Sequence, residues 1–182
     1  MIHEMIMAGF GGQGVMLMGQ LLTYAGMLEN RNVSWIPSYG PEMRGGTANC
    51  SVIVSDEPIG APVVSEPTTV VAMNLPSLDK FESSLRPGGI LIINSSLIDR
   101  NAQRRDIQTF RVPANDIAAE LGNNKVTNMV VLGALVAATG AVEQDSVLQA
   151  FAKIFAKKPE LKTINEQAIR RGVEHISNLK AN

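Results

Sequence analysis

The feature that most constrains this chain is the stretch GFGGQGV at residues 9–15, which follows an apolar run at residues 5–8 and leads into a helical pattern. A glycine-rich turn between a buried strand and a helix directs several backbone N–H groups at one point. The helix start adds a partial positive charge of about half an elementary charge. The stretch therefore predicts a strand, a turn and a helix whose junction suits an anion or a negatively polarised group.

The letters G-x-G-x-x-G also match the dinucleotide fingerprint, which is a weak signal by itself. A nicotinamide dinucleotide site needs an acidic residue at the end of the second strand, and residues 35–38 contain no carboxylate. A Walker A loop is excluded because no Gly-Lys-Ser/Thr follows. Two alternatives stay open: a free-standing nucleotide- or S-adenosylmethionine-binding protein, and glycines that only permit close packing of helix and strand.

Composition narrows the class of protein. With 45% apolar residues and a net charge of −1, the 182-residue chain is neither disordered nor basic enough to track nucleic acid. A single cysteine excludes an internal disulfide and a multi-thiolate cluster built from this chain alone. No apolar run reaches membrane-spanning length, and the N-terminus lacks a basic leader. We expect a soluble, cytoplasmic protein with neither a nucleic-acid partner nor a membrane span.

Hydrophobic periodicity predicts strands that alternate with helices and then helices only. The expected strands are residues 2–8, 33–36 (ended by Pro37), 47–55, 68–73, 90–93 and 109–112; the expected helices are 15–28, 77–85, 116–121, 128–139, 144–156 and 159–178. The first strand, helix and strand should form a right-handed βαβ unit. The pattern predicts a single α/β domain over residues 1–182: a three-layer sandwich around a mostly parallel sheet, with a helical C-terminal part.

A second loop at residues 38–46, SYGPEMRGG, is rich in special residues. Arg44 offers a planar fork for a carboxylate or phosphate, and Glu42 is placed to brace it. The alternative is a solvated turn in which Glu42 and Arg44 pair locally. Because ligands gather at the carboxyl ends of parallel strands, we expect this loop and the glycine turn to lie near each other.

Side chains for classical catalysis are scarce. His3 and His175 each have a neighbouring carboxylate in sequence, but such neighbours point to different sides of a strand or helix. Cys50 lies among the apolar positions of a predicted strand, which is typical of an inert core thiol. We therefore predict that the two histidines are structural or solvated and that Cys50 is structural, and we assign no catalytic or metal-binding residue.

Three motifs carry a resemblance to a known family: GFGGQGV at residues 9–15, SYGPEMRGG at residues 38–46 and NMVVLGA at residues 128–134. Together, in this order, they resemble the gamma subunit of the 2-oxoacid:ferredoxin oxidoreductases over nearly the whole chain. The middle motif is the most specific, and its form is most similar to the 2-oxoglutarate type. Branched-chain 2-oxoacid, pyruvate and indolepyruvate types remain alternatives.

The resemblance implies a subunit of an enzyme that decarboxylates a 2-oxoacid to its acyl-CoA and passes electrons to ferredoxin. It places thiamine diphosphate, magnesium and iron–sulfur clusters in partner subunits, so this chain would bind no cofactor tightly and be inactive alone. The implied partners are alpha and beta subunits. Whether a ferredoxin-like delta subunit is also a partner is left open. Coenzyme A enters as a substrate.

The expected contacts fall on the two loops. A contact with coenzyme A or a partner subunit is predicted for four residues of the glycine turn: Gly11, Gly12, Gln13 and Gly14. A partner interface is predicted for six residues of the second loop: Tyr39, Glu42, Met43, Arg44, Gly45 and Gly46.

Overall fold

The structure, a computed structural model, describes residues 1–38 and 47–181. Its strands are β1 (Ile2–Phe10), β2 (Asn32–Ser38), β3 (Thr47–Ser55), β4 (Thr69–Ala72), β5 (Ile90–Asn94) and β6 (Gln108–Val112). Its helices are α1 (Val15–Leu28), α2 (Leu75–Phe81), α3 (Ala114–Glu120), α4 (Thr127–Thr139), α5 (Gln144–Ile154) and α6 (Lys162–Ala181). Short 3-10 turns precede α4 and α6 and follow α2. The predicted α/β class with a helical C-terminal part is confirmed.

The described strands form one sheet in the order β2-β3-β1-β4-β5-β6. β3 runs antiparallel to β1 and to β2, while the β1–β4, β4–β5 and β5–β6 pairs are parallel. Five strands therefore point the same way and only β3 opposes them, as the expected mostly parallel sheet requires.

The predicted parallel strand-helix-strand unit is present, but its two strands are not neighbours in the sheet. β1 and β2 are parallel, because each is antiparallel to β3, but β3 lies between them in the sheet. Pro37 does not end β2, which continues to Ser38 and places Pro37 opposite Cys50. β2 is an edge strand, and at an edge proline can sit where its missing N–H is not needed.

Helices and irregular segments cover the two faces of the sheet. On one face, Met7 of β1 and Ile92 of β5 belong to a core shared with α1, α3, α4, α5 and α6. On the other face, Ile6 and Ile93 pack with Leu78 of α2 and with side chains of irregular segments. Side chains alternate between the two faces along each strand, so both faces are apolar and a three-layer arrangement results.

Helix α4 is buried around nearly its whole circumference, and it packs most closely on α6. A Cβ atom built on Gly133 of α4 would lie 2.0 Å from the backbone oxygen of Ile169, and one on Gly172 of α6 would lie 1.9 Å from the oxygen of Val130. The two backbones approach so closely that only glycine fits at either position. This close crossing packs the C-terminal helix α6 against the core.

Two element boundaries matter for the site. β1 extends to Phe10, two residues beyond the predicted end, because Gly9 and Phe10 still pair with β3. The glycine motif is therefore divided between a strand and a turn. α2 begins at Leu75, earlier than predicted, because the side chain of Asn74 caps it by accepting from the N–H of Ser77 at 3.0 Å.

We predict that Gly172→Ala lowers the free energy of unfolding by about 3 kcal/mol or more, because the added methyl group collides with the backbone of α4. Gly60→Ala is the matched control, since a Cβ there meets nothing within 4 Å. Urea unfolding of both variants measures the difference. Equal stability of the two variants would show that α4 and α6 do not cross this closely.

Candidate functional site

The turn after β1 is built by two glycines with positive φ. Gly12 has φ +93° and Gly14, the N-cap residue of α1, has φ +76°. L side chains rarely adopt such values, and at Gly14 there is also no room, since a Cβ would lie 2.3 Å from Nδ2 of Asn128. At Gly12 the space is open. Glycine at position 14 thus lets the starts of α1 and α4 come together, and Gly12 leaves the turn accessible.

A cleft of about 180 Å³ opens at this turn. Its walls come from the turn after β1, from the residue after β4, from α3 and from the segment that leads into α4; they are Gly12, Gln13, Gly14, Met73, Asn115, Asn124, Lys125, Thr127 and Asn128. Three of the four residues predicted from the glycine turn line the cleft, and Gly11 lies exposed beside it.

The position of the cleft follows from the topology. The chain leaves β1 through α1, on one face, toward the β2 edge, and leaves β4 through α2, on the other face, toward β5. β1 and β4 are therefore the two neighbouring strands at which the strand order reverses. In open α/β sheets the crevice outside the carboxyl ends of such a pair is the usual ligand site.

Side-chain amides connect the elements around the cleft. Oε1 of Gln13 accepts from the N–H of Phe10 at 2.7 Å and from Nδ2 of Asn74 at 3.1 Å. Asn94, at the end of β5, donates from Nδ2 to Oδ1 of Asn115 at 2.8 Å. These bonds join the turn after β1 to the residue before α2, and the end of β5 to α3, so a polar network lies on the apolar core.

The charge around the cleft favours an anion. Among the described residues that line the cleft, Lys125 is the only ionisable side chain, and it is exposed. α1 begins at the cleft with neither an acidic residue in its first turn nor a side-chain cap, so its first N–H groups are not occupied by a cap. A cation and a helix start without a competing carboxylate suit a phosphate, a carboxylate or a carbonyl oxygen.

The second predicted loop, with Tyr39, Glu42, Met43, Arg44, Gly45 and Gly46, lies outside the described residues. The residues on either side of this loop are described and show where it is attached. Ser38 ends β2 and Thr47 begins β3, and Thr47 pairs with Phe10, the last residue of β1 before the glycine turn. Both flanks thus lie at the edge of the sheet that carries the cleft.

Sequence analysis predicted Gln13 but missed the asparagines and the lysine. Asn74 and Asn94 stand at or just after the ends of two neighbouring parallel strands, a pattern that could have marked them. Asn128 was present in a quoted motif without a role. Lys125 carries no comparable signal, because only the fold brings residues 124–128 to the glycine turn.

Neither histidine approaches the cleft. Nε2 of His3 lies 3.0 Å from Sδ of Met1, and Nε2 of His175 lies 2.9 Å from the backbone oxygen of Arg111. Within residues 1–38 and 47–181, no group of three or more His, Cys, Asp or Glu side chains is placed to hold a metal ion. Among the described helices, none is long and apolar enough to cross a membrane.

Comparison with known proteins places the chain in a family. Residues 4–175 match the family described as pyruvate ferredoxin/flavodoxin oxidoreductase. The chain belongs to this family. It is therefore a member of a family of oxidoreductases, and the resemblance predicted from the three motifs is confirmed.

Two relatives show how the chain compares with known subunits. It is 39% identical over 169 residues to the ketoisovalerate oxidoreductase subunit VorA of Methanothermobacter marburgensis, covering 92% of this chain and 35% of that protein. The chain thus spans about a third of the length of this relative. It is 34% identical over 177 residues to the 2-oxoglutarate synthase subunit KorC of Methanocaldococcus jannaschii, covering 96% of this chain and 94% of that one.

Solved structures agree with the fold. The gamma subunit of a keto/oxoacid ferredoxin oxidoreductase from Geobacter sulfurreducens superposes with a TM-score of 0.83 at 28% identity, over 97% of this chain and 99% of that one. A 2-oxoglutarate:ferredoxin oxidoreductase from Magnetococcus marinus, with 2-oxoglutarate, coenzyme A and succinyl-CoA bound, has a TM-score of 0.90 at 20% identity. The superposition covers 97% of this chain and 31% of the Magnetococcus marinus chain. At that identity the second likeness shows the fold alone.

We predict that Cys50 does not react with Ellman's reagent in the native protein at pH 8. Burial raises the pKa of the Cys50 thiol to about 11, and its Sγ donates to the backbone oxygen of Val15 at 3.4 Å. Only roughly one thiol in a thousand would be ionised at that pH, and it is shielded from the reagent. The same protein in guanidinium chloride should release one equivalent of thionitrobenzoate. Rapid labelling of the native protein, at the rate of an introduced exposed thiol such as Gln149→Cys, would contradict a buried thiol.

Proposed function

We propose that this chain is the gamma subunit of a multi-subunit 2-oxoacid:ferredoxin oxidoreductase of the 2-oxoglutarate type, and that it acts in the cytoplasm. The observation that carries the proposal is the match to a subunit named for 2-oxoglutarate synthase over 94% of that subunit's length. The form of the SYGPEMRGG motif also favours 2-oxoglutarate. The relative named for ketoisovalerate is 39% identical over its matched part, against 34% for the one named for 2-oxoglutarate synthase, so the test below compares substrates.

In the proposed complex, thiamine diphosphate, magnesium and iron–sulfur clusters belong to partner subunits and supply decarboxylation and electron transfer. The present chain contributes binding. Its cleft is smaller than the roughly 300 Å³ of a typical small-molecule site, so it would hold one end of coenzyme A and not the whole molecule. Lys125 and the start of α1 would attract a phosphate or carbonyl oxygen of that end.

The glycine turn and residues 39–46 would form one surface that faces the partner subunits. The pairing of Thr47 with Phe10 supports this arrangement, since it brings one end of the second loop beside the first. In this proposal Arg44 pairs with a partner carboxylate or with a phosphate of coenzyme A, and the remaining loop residues shape the interface. In this proposal, one surface of the chain serves both the assembly of the complex and the entry of coenzyme A.

Purification of the tagged chain from its native cells tests the function. We expect it to elute with subunits that carry thiamine diphosphate and iron–sulfur clusters, and the complex to reduce ferredoxin when supplied with 2-oxoglutarate and coenzyme A. Parallel assays with 2-oxoisovalerate, pyruvate and indolepyruvate rank the substrates by kcat/KM. A preference for another 2-oxoacid would correct the substrate, and elution of a lone, nucleotide-binding monomer would overturn the subunit assignment.

Replacement of Arg44 tests the second loop. If Arg44 forms a buried charge pair, Arg44→Ala should weaken assembly or coenzyme A binding by about 2–5 kcal/mol. Arg105→Ala is the control, because Arg105 is an exposed arginine in the segment that leads into β6, away from the cleft. Size-exclusion chromatography reports assembly, and the KM for coenzyme A reports binding. If both variants behave like the unmodified complex, Arg44 has no such role.

A further inference from the structure

Helix α1 carries no charged side chain at any of its 14 positions. One of its sides, which includes Val15, Met18 and Leu22, is buried in the core of the protein. The opposite side is only partly covered, and Met27 there is 56% exposed. A surface helix normally turns a charged face to water, whereas a helix without such a face is normally buried. The outer side of α1 therefore suits contact with another protein better than contact with water.

This outer side of α1 forms one wall of an apolar groove of about 340 Å³. Four residues spaced as i, i+3, i+4 and i+7 along α1 make the wall, and β2 and the end of α5 complete it; the lining residues are Gln20, Thr23, Tyr24, Met27, Trp35 and Ile154. None of these described residues is charged. The wall is about 10 Å long at 1.5 Å per residue, which matches about two turns of a docked helix.

The groove offers few hydrogen-bonding groups. Thr23 donates its hydroxyl to the backbone oxygen of Gly19 at 2.8 Å, and Nε1 of Trp35 is buried, so the exposed part of the indole ring is carbon. Among the described lining residues, only the amide of Gln20 and the hydroxyl of Tyr24 are left as polar groups. A small-molecule site normally has several convergent polar groups. The lining therefore favours the apolar side chains of a protein.

Three lysines stand beside the groove at the end of α5. Nζ of Lys153 lies 5.9 Å from the ring centroid of Tyr24, a lining residue. Lys157 and Lys158 lie just beyond α5, where the N–H of Lys158 donates to the oxygen of Phe155 at 2.9 Å and so turns the chain. All three lysines are exposed, and within residues 1–38 and 47–181 none of them forms an ion pair. This end of the groove therefore attracts carboxylates.

We propose that the groove docks an acidic amphipathic helix of another protein. The apolar side chains of that helix enter between α1 and Ile154, and its carboxylates face the three lysines. A second copy of this chain fits less well, because a twofold contact at the groove would bring the lysines of both copies together. An added strand also fits less well, because Pro37 removes one N–H from the edge strand β2.

The proposal goes beyond the proposed function, because it concerns a different surface. The groove begins at Gln20, about 9 Å along α1 from Gly14 and the cleft, and it extends toward the other end of the helix. It would provide the chain with an interface in addition to the one at the carboxyl ends of the strands.

Photo-crosslinking in the native cells tests the proposal. Benzoylphenylalanine replaces Gln20, which is exposed and lines the groove, in the full tagged chain, and mass spectrometry sequences the peptide that is captured on irradiation. We expect a segment of another protein with apolar residues at i and i+3 or i+4 and Asp or Glu beside them. Capture of a second copy, of lipid or of a segment without carboxylates would overturn the proposal, as would the absence of any crosslink.

Charge reversal in the same experiment tests the lysines. Lys153→Glu should lower the crosslink yield at least about threefold, because it places a carboxylate opposite the carboxylates of the partner. Lys80→Glu is the matched control, since Lys80 also lies in the last turn of a helix and over an aromatic ring, that of Phe81, but on the other face of the sheet. Equal yields from both variants would exclude an acidic partner.

A charge inside the groove tests the apolar contact. Ile154→Asp should lower the crosslink yield at least about tenfold, because the carboxylate would be buried without a partner. Leu179→Asp is the control: Leu179 is 46% exposed in the last turn of α6, against 42% for Ile154 in the last turn of α5, and lies outside the groove. Met27→Asp replaces Ile154→Asp if circular dichroism shows that the latter is unfolded. An unchanged yield in the folded groove variant would overturn the proposal.

Discussion

The contact between Gly14 and Asn128 is the constraint on which the candidate site depends. Gly14 is the N-cap residue of α1 and has a positive φ, and Asn128 lies in the first turn of the buried helix α4, more than a hundred residues later. A Cβ at Gly14 would lie 2.3 Å from Nδ2 of Asn128, and L side chains rarely adopt the positive φ of this position, so glycine favours the close approach of the two helix starts. Their meeting brings Lys125 and Thr127 to the turn after β1 and forms the cleft.

The rest of the fold keeps this junction in place. α4 is fixed from behind by its close crossing with α6 at Gly133 and Gly172, and β1 is held between β3 and β4 in the middle of the sheet. Since α1 and α2 leave the neighbouring strands β1 and β4 on opposite faces, a crevice remains between their starts. The site is polar because amides follow the strand ends, and the layers above and below it are apolar.

Much of the fold follows from local patterns. The apolar strands, the glycine turn and α1 are encoded within short windows, and α1 begins and ends where periodicity predicts. The prediction that Pro37 ends β2 was wrong. A proline ends a strand only where its missing N–H would be needed, and β2 is an edge strand. The antiparallel insertion of β3 between β1 and β2 was also missed, since pairing between distant strands leaves no mark on local periodicity.

The sequence by itself determined the α/β class, the position of the glycine turn and the family, because these depend on residue spacing within short motifs. Tertiary structure alone decided which groups surround the turn. Asn74, Asn94, Asn115 and Lys125 come from four separate segments, and their juxtaposition results from strand order and helix packing. It also decided the hydrogen bonds of the amides, because their partners are groups that only the folded chain brings within hydrogen-bonding distance.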